Sequence, residues 1–393
     1  MIWLIFIFQT LLFALFGLGV VYLIVFAIAG LFRKKIKYRD TNIYRKIAVF
    51  IPGYKEDNVI IDVAGQALTQ NYPSDLFDVI IIADTFKAET LEKLRELPIL
   101  VNEVSFEKSS KAKSLNKTME SLPEHYDIAI ILDADNIMAN DFLEKVNASF
   151  NDGFIAVQGH RLAKNMNNHF AILDSLSEEI NNHIFRSGHR VLGLSAALIG
   201  SGMGFDYKTY KHFMSQIESF GEDKELEHKL LKNRIRIEYL DDALVYDEKV
   251  SKSAVFVNQR TRWIANQLNY ATNYLGEGFS ELLKGNIDFF DKIIQHLLPP
   301  RILMLGFLVV VNIFSILFNN TFWTTAWLIL LAGCIFSLVI SMPKKLFTFK
   351  TFASIIYLPL SFFLMLVSLF RIRNAKKGFV HTTHSFNENE NKQ

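Results

Sequence analysis

Apolar and polar positions fall along this chain in blocks. Residues 2 to 32, IWLIFIFQTLLFALFGLGVVYLIVFAIAGLF, carry no charged side chain. As a helix they would extend about 46 Å at 1.5 Å per residue, more than the roughly 30 Å of a bilayer's hydrocarbon core. A secretory signal would want a basic leading segment, a shorter apolar core and a small-residue cleavage site, and none is present. The segment is therefore expected to be a retained transmembrane helix. RKKIKYRD follows at 33–40, and such a basic flank marks the cytoplasmic side, which places the amino terminus outside. Three further apolar segments come late, near 299–318, 321–341 and 354–372. Four crossings would then leave RIRNAKK outside, against the positive-inside tendency. A cytoplasmic tail is favoured, with one late segment interfacial or re-entrant.

Between the apolar blocks, residues 44 to 250 read as one polar domain. KIAVFI (46–51), DVIIIA (78–83), IAIILD (128–133) and FIAVQG (154–159) are continuous rather than alternating apolar runs. That suits parallel strands covered on both faces. NVIIDVAGQALTQ and SSKAKSLNKTMES between them are helix-compatible, and alternating strand and helix gives an open doubly wound α/β sheet. FSELLKGNIDFFDKIIQHLL (279–298) has the spacing of an amphipathic helix lying on the membrane surface. The expected division is a transmembrane helix at 1–32, a basic linker at 33–45, the α/β domain at 46–253, interfacial helices at 254–297, transmembrane helices at 298–373 and a polar tail at 374–393.

Composition narrows the function classes only a little. With 42 basic and 40 acidic residues in 393, the net charge of +2 gives no reason to expect nucleic acid. The single cysteine, Cys334, lies in an apolar run, so no disulfide framework exists. The apolar spans hold almost no polar groups, which argues against a transporter. His160, His183 and His189 are expected as surface or packing residues, HTTH (381–384) as a polar tail rather than a metal site, and the final SFNENENKQ as disordered.

The acids sit where strands end. KIAVFI runs into PGYKED, DVIIIA into Asp84, and IAIIL into Asp133-Ala-Asp135. Ligands of open α/β sheets bind outside the carboxyl ends of the strands. Two carboxylates at i and i+2 beside a strand end can share a divalent cation, and hard oxygen ligands suit Mg²⁺ or Mn²⁺, which also hold phosphate oxygens. A solvated turn with capping aspartates is the structural alternative.

The order of motifs from 46 to 263 resembles the membrane-integrated family 2 glycosyltransferases, the branch of cellulose, chitin and hyaluronan synthases and ceramide glucosyltransferase. The resemblance implies a GT-A fold, a Rossmann-like and mostly parallel sheet, flanked by transmembrane helices. It places Pro52, Tyr54 and Glu56 of IPGYKED in the nucleoside pocket, with Lys55 where the family usually has Asn. Asp84 would accept hydrogen bonds from the base or ribose. Lys111 of KAKSLN would face the diphosphate, although Lys113 replaces a family glycine. LDADN would supply Asp133 toward the nucleotide and Asp135, with Asp133, to the metal. Gln158 often follows in such enzymes. LGLSAALIGSGMGF resembles the acceptor-side loop, with Gly202 near the acceptor. FGED would supply Glu222 and Asp223 as the catalytic acids, Asp223 as general base. Gln259, Arg262 and Trp263 of NQRTRW would share one helix face, Gln259 and Arg262 toward the donor and Trp263 toward the acceptor sugar.

The resemblance implies an inverting glycosyltransferase, and the apolar segments with their basic flank place it in the inner membrane with its catalytic domain cytoplasmic. The donor would be a nucleotide sugar, UDP-linked, and the acceptor a growing polysaccharide or a membrane lipid or lipid-linked glycan, joined by a β-linkage. Four crossings are few for a chain-conducting channel in one protomer, which favours a lipid acceptor or an oligomer. The alternative is a catalytically inactive protein of the same fold, a binding or assembly partner in envelope glycan export.

Overall fold

The computed structural model describes residues 2–38, 43–123, 125–218, 221–249, 253–318 and 321–375. Its α/β part is built on eight strands: β1 Ile47–Tyr54, β2 Phe77–Asp84, β3 Leu100–Val104, β4 Ile128–Ile131, β5 Ile137–Met138, β6 Ala156–Ala163, β7 Met203–Asp206 and β8 Glu238–Asp247. They form one sheet in the order β3-β2-β1-β4-β7-β6-β8-β5. The continuous apolar runs have their physical reason in two-sided burial. Ala48, Phe50, Ile80, Ile82, Ala129 and Ile131 belong to one core cluster, and Ile47, Val49, Ile51, Val79, Ile81, Ile128 and Ile130 to the cluster on the opposite face.

The sheet is mostly parallel. β3, β2, β1 and β4 pair in parallel, as do β6 and β8, whereas β7 is antiparallel to both β4 and β6. This inversion matters for the site. The carboxyl ends of β1, β2, β4, β6 and β8 all reach one edge, and the loop that enters β7 arrives at that same edge.

The long amino-terminal helix, Ile2–Gly30, packs Val20, Leu23, Phe26 and Ala27 against Met304, Leu308, Trp327 and Cys334. It also meets the α/β part closely. Gly188, ending a π-helical turn at Asn182–Gly188, lies so near that a Cβ there would stand 2.1 Å from the Phe26 carbonyl oxygen. His183 Nε2 bonds the Ala27 carbonyl at 2.8 Å, and the buried His189 stacks on Phe26 with ring centroids 3.6 Å apart. Both histidines are packing groups. His160 bonds Glu179 at 2.9 Å beside the sheet.

Two expected helices are broken. The stretch 279–298 is divided between Ser253–Leu283 and Ile287–Leu297. Gly285 takes φ +76, and Asn286 caps the second helix by accepting from Phe289 N at 3.3 Å; glycine in the left-handed region followed by a capping Asn ends one helix and starts another. The segment near 354–372 is split into Phe349–Ile355 and Leu358–Ala375, bent by 52° ahead of Pro359, whose ring excludes a continuous helix. Among the described residues, two helices, Phe6–Gly30 and Thr321–Ile340, are long and apolar enough to cross a membrane. The bent pairs Ile287–Leu297 with Arg301–Leu317 and Phe349–Ile355 with Leu358–Ile372 raise this to four if each pair is one span. The tail motif HTTH and the residues after it lie outside the described residues.

Candidate active site

A cavity of about 1430 Å³ opens at the carboxyl edge of the sheet and continues between the apolar helices. Pro52, Tyr54, Glu56, Asp84, Lys111, Asp133, Asp135, Glu222, Asp223, Gln259, Arg262 and Trp263 all line it. Residues separated by more than two hundred positions thus face one space.

At the β1 end, Lys55 takes φ +56, and its N–H donates to the Asp84 carbonyl at 3.1 Å. The left-handed region suits Asn better than Lys, which gives a conformational reason for the Asn seen in the family this motif resembles. Asp84 is buried; one carboxylate oxygen accepts from Thr85 Oγ1 at 2.9 Å.

After β4 the chain makes a tight turn, with Asn136 N donating to the Asp133 carbonyl at 3.0 Å. The two aspartates on this turn have different partners. Asp133 accepts from Lys111 Nζ at 2.5 Å, while the buried Asp135 accepts from Asn136 Nδ2 at 2.9 Å. Asp133 and Asp135 thus have different hydrogen-bond partners while lining the same cavity. Among the described residues, no group of three His, Cys, Asp or Glu side chains is placed to hold a metal. A different pairing emerges: Asn136 Nδ2 also donates to Asp247 at 3.2 Å, so Asp135 and Asp247 converge on one amide. Mg²⁺ and Mn²⁺ at nucleotide sites commonly take one or two carboxylates plus substrate phosphates; Asp135 and Asp247 could supply them, Asp247 while also pairing with Lys249 at 2.8 Å and Arg161 at 3.6 Å. Asp247 was missed in the sequence. It ends β8 after the apolar run ALVY, so the strand-end rule that found Asp84 and Asp133 applies to it as well.

Lys111 is the hub on the other side. Besides Asp133 it donates to the Gly200 carbonyl at 2.6 Å and stands 3.6 Å from Glu222. Burial alone would lower its pKa, but Asp133, Glu222 and Asp223 together hold the ammonium above its ordinary value. Gln158, fully buried, ties the entering loop in place: its amide donates to the Ser201 carbonyl at 2.9 Å, and its oxygen accepts from Ile199 N at 3.1 Å. Ser201, also unnoticed in the sequence, accepts from Asp133 N at 2.9 Å and donates to Asn136 at 2.6 Å. Gly202, expected on the acceptor side, sits behind the cavity: its N donates to Ile131 O and its carbonyl accepts from Gly159 N. Gly200 faces the site instead, with φ +84 and the Asp223 carboxylate 3.7 Å from where its Cβ would be.

Glu222 and Asp223 begin the helix Glu222–Lys232, whose free N–H groups favour acids in the first turn. Gly221 before them is pinned by Tyr270, whose hydroxyl donates to the Gly221 carbonyl at 2.8 Å. The helix Ser253–Leu283 thereby touches the residue that precedes the acids and, through Gln259 and Arg262, lines the cavity. On that helix Arg260 pairs with Asp174 and lies over the Trp263 ring at 4.2 Å, so one ring face of Trp263 is already covered.

Burial pushes the Glu222 carboxyl up to about 7, with Lys111 pulling against it and Asp223 adding to it. The folded protein thus holds this proton more tightly than the unfolded chain, where the ordinary value is 4.5. Stability from this group is complete below that value and is lost as pH rises toward 7. The thermal midpoint of the detergent-solubilised full chain is expected to fall across this window, and Glu222→Gln to flatten the slope. Equal slopes in both proteins would remove the assignment.

Residues 45–266 match the family model described as glycosyltransferase like family 2, more than half of the 393 residues. No curated protein matches this chain. Among solved structures, the mannosyltransferase PcManGT from Pyrobaculum calidifontis, in complex with GDP-Man and Mn²⁺, is 15% identical with a TM-score of 0.52. The match covers 84% of this chain and 98% of that one. S. aureus TarS 1-349 in complex with UDP is 18% identical with a TM-score of 0.36, over 56% of this chain and 64% of that one. The first likeness is one of fold: the sheet described above is that of a GT-A glycosyltransferase.

Proposed function

Because this chain belongs to glycosyltransferase family 2, we propose that it is a membrane-bound, inverting transferase that moves a sugar from a nucleoside diphosphate, UDP by preference, onto an acceptor hydroxyl. The observation that carries this reading is the convergence of Asp84, Asp133, Asp135, Glu222 and Asp223 on one cavity that Lys111 ties together. The nucleoside lies against Pro52, Tyr54, Glu56 and Asp84. Asp135 and Asp247 would hold the divalent cation, which when bound would neutralise the diphosphate and make it a better leaving group.

Asp223 takes the proton of the acceptor hydroxyl as that oxygen attacks the anomeric carbon. The bond from that carbon to the diphosphate oxygen breaks, and the nucleoside diphosphate departs with the electron pair. Attack from the opposite side inverts the configuration, so an α-linked donor gives a β-linkage. Arg262 adds positive charge beside the leaving diphosphate. Gly200 and Gln158 keep the loop against the acids.

The intact set of acids and their mutual contacts favour this over an assembly-only role. Membranes containing the full chain, given Mg²⁺ or Mn²⁺ and radiolabelled UDP- or GDP-sugars, are expected to incorporate label. No incorporation and no donor hydrolysis under any pairing would return the inactive reading. The helices Phe6–Gly30 and Thr321–Ile340 support membrane anchoring, with the α/β part on the cytoplasmic face of the inner membrane.

A further inference from the structure

We propose that the lower half of the cavity seats an acceptor carried on a lipid phosphate, with the phosphate against Arg301 and the hydrocarbon chain in the crevice between the apolar helices. This rests on the transferase reading above and names the acceptor class for that site.

Size is the first ground. At about 1430 Å³ the cavity exceeds the roughly 300–1,000 Å³ of an ordinary small-molecule site, so a donor does not fill it. Its chemistry also changes with depth. The acids line the sheet edge, whereas Leu305, Val309, Ile335, Val339, Phe362 and Met365 line the far end. Val309, Ile335 and Val339 are 41, 45 and 44% exposed on helices apolar enough to meet a bilayer. An elongated apolar chain has a path from there into the membrane.

The boundary between the two halves holds a cation with no carboxylate in ion-pair contact among the described residues; Glu178, whose charge reaches it, is already shared by Arg161 and Arg186. Most cationic side chains around the cavity are matched: Arg161 and Arg186 share Glu178, Arg260 meets Asp174, Lys249 meets Asp247 and Lys224 meets Glu227. Arg301 is different. Its Nη2 donates to the Ser177 carbonyl at 2.8 Å and to Ser177 Oγ at 3.1 Å, both neutral. Among the described residues it has no carboxylate within ion-pair distance, and its Nη1 is buried without a hydrogen-bond partner. Gln259 Oε1, also lining the cavity, is buried and unpartnered among the described residues. A guanidinium beside apolar surface is stabilised by a paired anion, and its planar fork matches phosphate oxygens. With the phosphate there and the tail below, the hydroxyl end of the acceptor is directed up toward Asp223, which lines the same space.

The test uses the full chain in nanodiscs of phosphatidylcholine, with binding of a polyprenyl monophosphate, the corresponding polyprenol and inorganic phosphate measured directly. The lipid phosphate is expected to bind saturably, at least about tenfold tighter than the alcohol or than inorganic phosphate. Arg301→Ala should weaken the lipid phosphate about tenfold or more while leaving the alcohol unchanged, with Arg301→Lys intermediate. Val309→Trp, which fills the apolar end without touching the charge, should weaken both lipids. The proposal is overturned if inorganic phosphate binds as tightly as the lipid, or if Arg301→Ala leaves lipid-phosphate affinity intact. It also falls if Val309→Trp has no effect. Nucleoside diphosphate binding, measured alongside, reads the donor site separately, so its failure counts against the proposed function and not against the lipid site.

Discussion

Asp223→Asn is expected to reduce sugar transfer by about a thousandfold, within the range general-base loss produces, while nucleoside diphosphate affinity stays within roughly threefold. The amide has the shape of the carboxylate and can still occupy the first turn of its helix, but it cannot accept the acceptor's proton. The surroundings make this a clean comparison. Asp223 lies against Gly200, and Gly200 is held by Lys111 and by the loop that Gln158 ties to β6. A neutral side chain of equal size leaves those contacts in place. Single-turnover transfer at saturating donor, with calorimetric titration of UDP or GDP, separates the two quantities. A variant that transfers at the normal rate would move the base assignment to Glu222, whose carboxyl, pushed up to about 7, is partly deprotonated near neutrality and more basic than an ordinary carboxylate. A variant that loses nucleotide affinity in parallel would place Asp223 in donor binding.

The parts of the site that were legible in the sequence share one property: they end long, doubly buried strands. β1, β2 and β4 are apolar on both faces, so their runs stand out and the residues after them could be assigned to the ligand-binding edge. β8 escaped because its sequence, EYLDDALVYD, is interrupted by Asp241 and Asp242. These sit where the register against β6 jumps, Gly159 facing Leu240 and His160 facing Leu244. A bulge lets two acids interrupt an apolar strand without breaking it, and the interruption hid Asp247. β7, MGFD, is too short and glycine-containing to read as a strand. The geometry of LDADN was also out of reach. Alternation along a strand would put Asp133 and Asp135 on one side, but the chain has already left β4 and turned by Asp133, so the two carboxylates serve different partners. Arg301 carried no motif at all; only the packing of distant helices leaves it, among the described residues, with no carboxylate in ion-pair contact.

That divergence of the two aspartates sets the second large effect. Asp135→Asn is expected to lower transfer by at least about a hundredfold and to remove the dependence of nucleotide binding on Mn²⁺ or Mg²⁺. Asp133→Asn should weaken the donor without removing its cation dependence. The reason lies in what each carboxylate already touches. Asp133 is neutralised by Lys111, so its charge is largely committed to an ammonium. Asp135 shares the Asn136 amide with Asp247, and two carboxylates brought this close together favour a bound cation. Asp247 is already partly neutralised: burial raises its pKa, but Lys249 and Arg161 outweigh this and hold it below the ordinary value. Its substitution by Asn should therefore act in the same direction as Asp135→Asn with a smaller effect. Mn²⁺ titration followed by electron paramagnetic resonance, with and without nucleoside diphosphate, distinguishes the three variants without requiring turnover. If Asp133→Asn abolishes the Mn²⁺ dependence and Asp135→Asn retains it, the ion belongs beside Lys111 and the pairing of Asp135 with Asp247 has another purpose.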